Sequence, residues 1–186
     1  MKKSAVLIIL SILFIITLIF NVNSKKMAEK NTIVKITVTS TAFEPGGEIP
    51  EQYTCNGNDT VPPLGIKGVP KEAKSLALIM EDPDAPRGTW NHWIKWNIPP
   101  DTTKIDEGEE PLGVSGEGSS GNLSYEGPCP PKGRHRYIFH VYALDVILEL
   151  DEGASRGRLE KAMNNHTIAE GELTGMYGTP EEKDRN

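Results

Sequence analysis

Two aspartates stand between prolines directly after an apolar run. Asp82 and Asp84 belong to the segment Asp82-Pro-Asp-Ala-Pro86, which follows the apolar residues 75–80. Proline fixes its own φ and restricts the residue before it to extended conformations. The segment therefore predicts either a rigid hook that holds two carboxylates at a strand end, or an ordinary Asp-Pro turn.

A histidine follows at a spacing that could return it to these carboxylates. His92 lies near the start of the alternating segment 91–98, and a hairpin with residues 75–80 would bring it beside Asp82 and Asp84. A carboxylate at that position would favour the imidazolium form and fix the tautomer. A half-buried histidine at a strand edge, with no binding role, is the alternative.

A second histidine and a tyrosine follow the proline-rich segment 127–131. His135 and Tyr137 are two positions apart, so on a strand they point to the same face with about 7 Å between them. An imidazole and a phenol together can donate hydrogen bonds to an anionic oxygen. Arg136 should point the other way, and we expect it to form a structural ion pair.

The surrounding patterns predict a mainly antiparallel β protein. β-branched residues and apolar runs of strand length predict strands at 33–39, 75–80, 91–98 and 166–177, and one or two strands at 136–150. Glycine and proline exclude a helix at 44–72, where they favour short strands and turns, and they predict a long irregular connection at 99–134. Strict alternation in the third of these strands would place His92, Ile94, Trp96 and Ile98 on one face.

One helix is predicted, over residues 155–164, with Leu159, Ala162 and Met163 as its buried stripe. Strands do not alternate with helices, which argues against a doubly wound sheet. Gly116 to Gly121 satisfies the glycine pattern of dinucleotide-binding loops, but it neither follows a predicted strand nor opens a helix. We therefore interpret it as a loop.

Charge and length limit the function classes. The chain has 186 residues, with 20 Lys and Arg against 26 Asp and Glu, and a net charge of −6. A chain of this length usually forms one domain. An acidic chain without a basic cluster argues against nucleic acid as a partner.

The N-terminus has the layout of an export signal. Lys2 and Lys3 precede the apolar run 5–20, and Val22 and Ser24 would precede a cleavage site after residue 24. The run is slightly short for a membrane span of about 20 residues. A cleaved signal and an uncleaved anchor both stay open, and either would place the protein outside the cytoplasm, secreted or anchored to the membrane.

The exported part contains two cysteines, Cys55 and Cys129. An even pair in an oxidising compartment favours a disulfide. Two buried thiols are the alternative. Their separation excludes a CxxC redox pair.

Several segments resemble the phosphatidylethanolamine-binding protein family, and its prokaryotic Raf-kinase-inhibitor-like branch in particular. They are DPDAP at 82–86, the His-Trp pair at 92–93, and GPCPPKGRHRYIFHVYALD at 127–145. The resemblance implies an antiparallel β-sheet sandwich at residues 32–180, between a tether at 25–31 and a charged tail at 181–186. It also implies a small anion-binding cavity at one end, and no cofactor. The family positions that match ligand-binding residues here are Asp82, Asp84, His92, Pro130, Pro131, His135 and Tyr137.

Three functions fit these residues. The first is a non-enzymatic binding protein for a small anion or a phospholipid headgroup. The second is an interaction protein that inhibits a kinase or a protease through its surface, as some family members do. The third is a hydrolase or metal site that uses Asp82, His92 and His135. The first is our preferred hypothesis, with no catalytic residue and no metal.

Overall fold

The computed structural model describes Thr17 and residues 34–178. The chain divides into residues 1–33 and 34–186, and the fold below is that of the second unit. The signal or anchor predicted at 1–24, the tether at 25–31 and the tail at 181–186 fall outside the described residues, apart from Thr17. Within the described part of the chain, no helix has the length and apolar character needed to cross a membrane.

A six-stranded sheet forms the centre of the fold, in the order β1-β9-β8-β4-β5-β7. All neighbouring pairs are antiparallel except β1 with β9. The strands are β1 (Val34–Lys35), β4 (Ser75–Asp82), β5 (Trp90–Ile98), β7 (Val114–Ser115), β8 (Arg134–Leu144) and β9 (Thr167–Gly178). β4 is buried along nearly its whole length, because both faces of the sheet are covered.

A three-stranded sheet covers one face. It contains β2 (Thr37–Ser40), β3 (Leu64–Lys67) and β6 (Lys104–Ile105), in the order β2-β3-β6. Apolar side chains of both sheets form one core cluster, and Val38, Ile66, Leu78 and Phe139 are among its members. A one-turn 3-10 helix, Glu51–Tyr53, contributes Tyr53 to this cluster.

The only α-helix within residues 34–178, α1 (Arg156–Met163), covers the other face. Leu159 and Met163 pack there in a second core cluster, with Ala162 partly buried beside it. The prediction of a mainly β protein with one helix near the C-terminus is confirmed.

The first predicted strand is divided. Residues 33–39 were expected to form one strand, but the chain passes from the central sheet to the smaller sheet at Ile36. The Ile36 backbone N–H donates to the Glu170 carbonyl of β9 at 2.7 Å, and its side chain is buried. One short segment therefore ties the two sheets together.

The expected alternation of β5 is wrong. Ile94 and Trp96 face the helix, whereas Ile98 lies in the core between the sheets. Two register shifts against β4 break the alternation. In one of them Met80 pairs with Trp93 and Glu81 pairs with Asn91, so His92 is the extra residue of a β-bulge.

The strand predicted at 136–150 is also shorter than expected. β8 ends at Leu144, and the following residues form an irregular segment. Leu148 in that segment is held by Asn97, whose side chain donates to the Leu148 carbonyl and accepts from its N–H, both at 2.9 Å. Asn97 has a φ of 54° at the second register shift of β5, so one bulge residue anchors the segment.

Candidate functional site

Asp82 and His135 form a buried pair at the ends of β4 and β8. Asp82 is 3% exposed, and its Oδ2 accepts a hydrogen bond from His135 Nδ1 at 2.7 Å. The other carboxylate oxygen accepts the Asp84 backbone N–H at 2.8 Å. The aspartate therefore fixes the His135 tautomer with the proton on Nδ1, which leaves Nε2 for a ligand.

Tyr137 lies beside this pair and is fully buried. Its ring meets the His92 ring edge-on, with 5.2 Å between the centroids. Within the described residues its hydroxyl has no hydrogen-bond partner. Burial, and then the negative charge of Asp82, raise the Tyr137 pKa, so the phenol stays protonated and can donate.

His92 is held by the backbone rather than by a carboxylate. Its Nδ1 lies 2.9 Å from the Glu126 carbonyl oxygen. A carbonyl only accepts, so Nδ1 carries the proton. Burial lowers the His92 pKa, and the nearby Glu126 and Asp82 offset this only in part. Asp82 favours the imidazolium form of His92, as expected of a carboxylate, but desolvation has the larger effect and the pKa is lowered overall.

A cavity of about 690 Å³ opens beside these groups. Among the residues predicted for the site, Asp82, His92 and Pro131 line it. His135 and Tyr137 belong to the same cluster through their contacts with Asp82 and His92. The structure thus brings an aspartate, two histidines, a tyrosine and a proline of the predicted set together.

Asp84 is not among the residues that line the cavity. Its carboxylate accepts hydrogen bonds from the Arg136 backbone N–H and Nε at 2.9 Å and from a terminal guanidinium nitrogen at 2.7 Å. Arg136 lowers the Asp84 pKa to about 2. Asp84 therefore anchors the start of β8, and Arg136 has the structural ion pair expected of it.

Pro130 lines a second cavity of about 400 Å³. Pro131 and Cys129 line both cavities. Cys129 is joined to Cys55 by a disulfide, with 5.5 Å between the Cα atoms. The predicted proline rim is therefore a wall between two cavities.

Comparison with known proteins shows relatives in both sequence and fold. A family model described as "Phosphatidylethanolamine-binding protein" matches residues 39–178. The chain belongs to the phosphatidylethanolamine-binding protein family. The resemblance inferred from the sequence motifs is thus confirmed, and the described cavity belongs to a member of this family.

Curated proteins similar to this chain include several named UPF0098 protein. One from Methanothermobacter thermautotrophicus is 51% identical over 142 residues, which cover 73% of this chain and 94% of that protein. One from Aquifex aeolicus is 42% identical over 164 residues, which cover 84% of this chain and 95% of that protein.

Two solved structures share the fold. A phosphatidylethanolamine-binding protein homologue from Chlamydia trachomatis superposes with a TM-score of 0.76 at 44% identity, covering 78% of this chain and 98% of that one. Escherichia coli YbcL, described as a new member of the mammalian family, gives a TM-score of 0.72 at 32% identity, covering 77% of this chain and 98% of its own.

Sequence reasoning missed several residues of the site in this family member. Arg87 lines the cavity from the turn between β4 and β5, Trp90 lines it from the first position of β5, and Glu126 lines it from the long connection before β8. One Glu126 carboxylate oxygen is buried without a hydrogen-bond partner among the described residues. Arg87 and Trp90 lie between two predicted elements of the site and could have been suspected, whereas no local pattern marks Glu126.

The site has hydrogen-bond donors rather than a metal-binding geometry. Among the described residues, no group of three or more His, Cys, Asp or Glu side chains is arranged to hold a metal ion. His135 Nδ1 and His92 Nδ1 are occupied by Asp82 and by the Glu126 carbonyl. The arrangement can offer the Tyr137 hydroxyl and, on protonation, imidazole Nε2 groups to an anionic oxygen.

Proposed function

We propose that this protein binds small phosphorylated ligands through their phosphate group and is not an enzyme. The observation that carries the proposal is the fully buried Tyr137 hydroxyl, which has no hydrogen-bond partner among the described residues. A buried polar group without a partner costs about 1–3 kcal/mol. A bound oxyanion beside His92 would recover that cost.

The charged groups of the cavity favour a phosphate ester over a carboxylic acid as the ligand. The two carboxylate oxygens of Asp82 accept hydrogen bonds from His135 and from the Asp84 N–H, and Arg87 lines the same cavity. Arginine and imidazolium groups make strong hydrogen bonds to phosphate oxygens. The Glu126 carboxylate in the lining could hold a cationic group attached to the phosphate.

The size of the cavity supports a ligand larger than the anion alone. About 690 Å³ lies within the range of roughly 300–1,000 Å³ that is usual for small-molecule sites. The family description names phosphatidylethanolamine, whose headgroup is a phosphate ester that carries an ammonium group. A phosphoethanolamine headgroup therefore fits the charges of Arg87, His92 and Glu126.

Binding rather than hydrolysis is supported by the contacts of the histidines. Among the described residues, no serine, threonine or cysteine side chain hydrogen-bonds to His92 or His135. The Cys129 sulfur, which lies at the cavity, is in a disulfide. A hydrolase of this kind would need a nucleophile activated by an adjacent base.

Calorimetric titration of the protein with phosphoethanolamine, and with sulfate, tests the proposal. Sulfate keeps its charge between pH 5.5 and 8, so any pH dependence of its binding reports on the protein. We expect tighter sulfate binding as the pH falls, because the anion favours protonated His92. His92→Asn, which can keep the hydrogen bond to the Glu126 carbonyl, should flatten this dependence.

His166→Asn is the matched control, since His166 pairs with Asp145 outside the cavity and should leave the dependence unchanged. Failure of both anions to bind would refute the proposal. Release of inorganic phosphate from phosphoethanolamine, lost in the His92 variant, would instead identify a hydrolase.

A further inference from the structure

We propose that the Cys55–Cys129 disulfide is a site of thiol–disulfide exchange and that its redox state controls the phosphate affinity of the cavity. This inference rests on the proposed function. The reaction partner is a dithiol reductant, small or protein-borne.

The disulfide is accessible. Both half-cystines, Cys55 and Cys129, are exposed, although the bond closes a loop of the chain with a sequence separation of 74. An attacking thiolate must reach one sulfur along the direction of the S–S bond, so access decides the rate. Exposed disulfides are the ones that are reduced and reformed most readily.

The disulfide also forms part of the cavity wall. Cys129 lines the larger cavity with Asp82 and His92, and it lines the second cavity with Cys55. The Cys129 backbone lies close enough to the Tyr137 hydroxyl to lower its pKa, against the larger effect of burial. Movement of Cys129 would therefore change the surroundings of the hydroxyl that we assign to the anion.

Apart from the disulfide, hydrogen bonds hold the proline-rich segment only up to Pro128. The Gly127 N–H donates to Asp59 Oδ1 at 2.6 Å, and the Pro128 carbonyl accepts from the Cys55 N–H at 3.2 Å. From Cys129 to the start of β8, the described chain makes no backbone-to-backbone hydrogen bond to another segment. The disulfide is thus the main attachment of residues 129–133 to the segment around Cys55, which follows the 3-10 helix Glu51–Tyr53.

The chemistry is a two-electron exchange. A thiolate of the dithiol attacks one sulfur of the disulfide, the S–S bond breaks, and the released cysteine thiolate takes up a proton. The second thiol of the reductant then attacks the mixed disulfide. The protein ends with two thiols, and the reductant ends as its own disulfide, so electrons and protons balance.

Reduction should weaken anion binding without unfolding the protein. With the tie broken, residues 129–133 can leave the position that shapes the cavity. We expect phosphate affinity to fall about tenfold. This is the loss expected if about a tenth of the reduced molecules keep the binding-competent arrangement. By linkage, saturating phosphate should shift the exchange equilibrium towards the disulfide by the same factor.

The experiment measures phosphate affinity by calorimetry in the oxidised full-length protein and after reduction with dithiothreitol, an uncharged dithiol. Circular dichroism of each sample checks that it is folded. The double variant Cys55→Ala/Cys129→Ala should bind like the reduced protein and should not respond to dithiothreitol. Thiol trapping and mass spectrometry in redox buffers, with and without phosphate, measure the exchange equilibrium.

The outcomes are distinct. Weaker binding by the folded, reduced protein, matched by a phosphate-dependent shift of the exchange equilibrium, would support the inference. Equal affinity in the two folded forms would overturn it and leave the proposed function intact. Unfolding on reduction would also overturn it, because the bond would then serve stability alone. An oxidised protein that fails to bind phosphate would refute the proposed function, and the redox inference with it.

Discussion

Tyr137 is the residue at which stability and binding oppose each other. Its hydroxyl is fully buried and has no hydrogen-bond partner among the described residues. A phenylalanine of the same shape would remove the unmade hydrogen bond, and it would also remove a donor to the anion. The two effects have opposite signs, so they can be separated by measurement.

Tyr137→Phe should lower phosphate affinity about tenfold, because a hydrogen bond to a charged group contributes about 1.5 kcal/mol. The free energy of unfolding in the absence of ligand should stay the same or rise by up to about 1 kcal/mol. Calorimetry and urea denaturation measure the two quantities.

Tyr142→Phe is the control on the same strand. Tyr142 stacks on His140 and packs against the helix-side core, so phosphate affinity should not change. A loss of stability in Tyr137→Phe, with affinity unchanged, would contradict the role assigned to this hydroxyl.

The chemistry of single residues was predictable, but their pairing was not. The sequence indicated that Asp82, His92 and His135 belong together. It suggested that His92 would return to Asp82, whereas His135 makes that contact and His92 is bound by the Glu126 carbonyl. The reason is a β-bulge, which depends on the register of β4 against β5 and has no marker in the local sequence.

At the scale of elements, the ion pair of Asp84 and Arg136 anchors the start of β8. Arg136 lies between His135 and Tyr137, so the pair sets the direction of the strand that carries both. Its side chains are 31% and 51% exposed. Solvent therefore screens the attraction, and a contribution of about 1 kcal/mol is expected.

Asp84→Asn should lower the free energy of unfolding by about 1 kcal/mol at pH 7. Phosphate affinity should change less than about twofold, since the carboxylate does not line the cavity. The Asp84 pKa is lowered from 3.8 to about 2, so the stabilisation is complete above about pH 4. It is lost as the pH falls towards 2. Urea denaturation at several pH values measures it.

Asp106→Asn is the control variant. It breaks an exposed salt bridge with Lys104 that is far from β8 in the sequence. The stability difference between these two variants should disappear in acid. A large loss of phosphate affinity in Asp84→Asn would contradict this structural role and would show that Asp84 takes part in binding.

The elements themselves were largely predictable, since long apolar or alternating segments gave β4, β5, β8, β9 and α1 to within a few residues, apart from the early end of β8. The divided first strand was not predicted, because the switch between sheets at Ile36 depends on a hydrogen bond to Glu170 that is remote in sequence. The same limit applies to the connection over residues 99–134, where Glu126 acquires its role from tertiary packing alone.

At the scale of the whole molecule, protonation of the buried His92 links the stability of the fold to anion binding. The ligand-free fold favours neutral His92, because burial lowers its pKa from 6.5. The unfolded chain protonates this histidine near pH 6.5. A bound anion favours the protonated form, so acid should weaken the empty fold while it strengthens the complex.

The free energy of unfolding of the ligand-free protein should therefore fall as the pH drops below about 6.5. The His92 part of the slope is at most about 1.4 kcal/mol per pH unit, and it ends at the pKa of the folded state. His92→Asn removes this part, so the difference between wild type and variant, measured by urea denaturation from pH 7.5 to 5.5, isolates it from the other histidines. Saturating sulfate should reduce or reverse the wild-type slope and leave the variant's slope unchanged. A difference between the two proteins that stays constant with pH in the absence of sulfate would show that His92 is not held neutral by the fold.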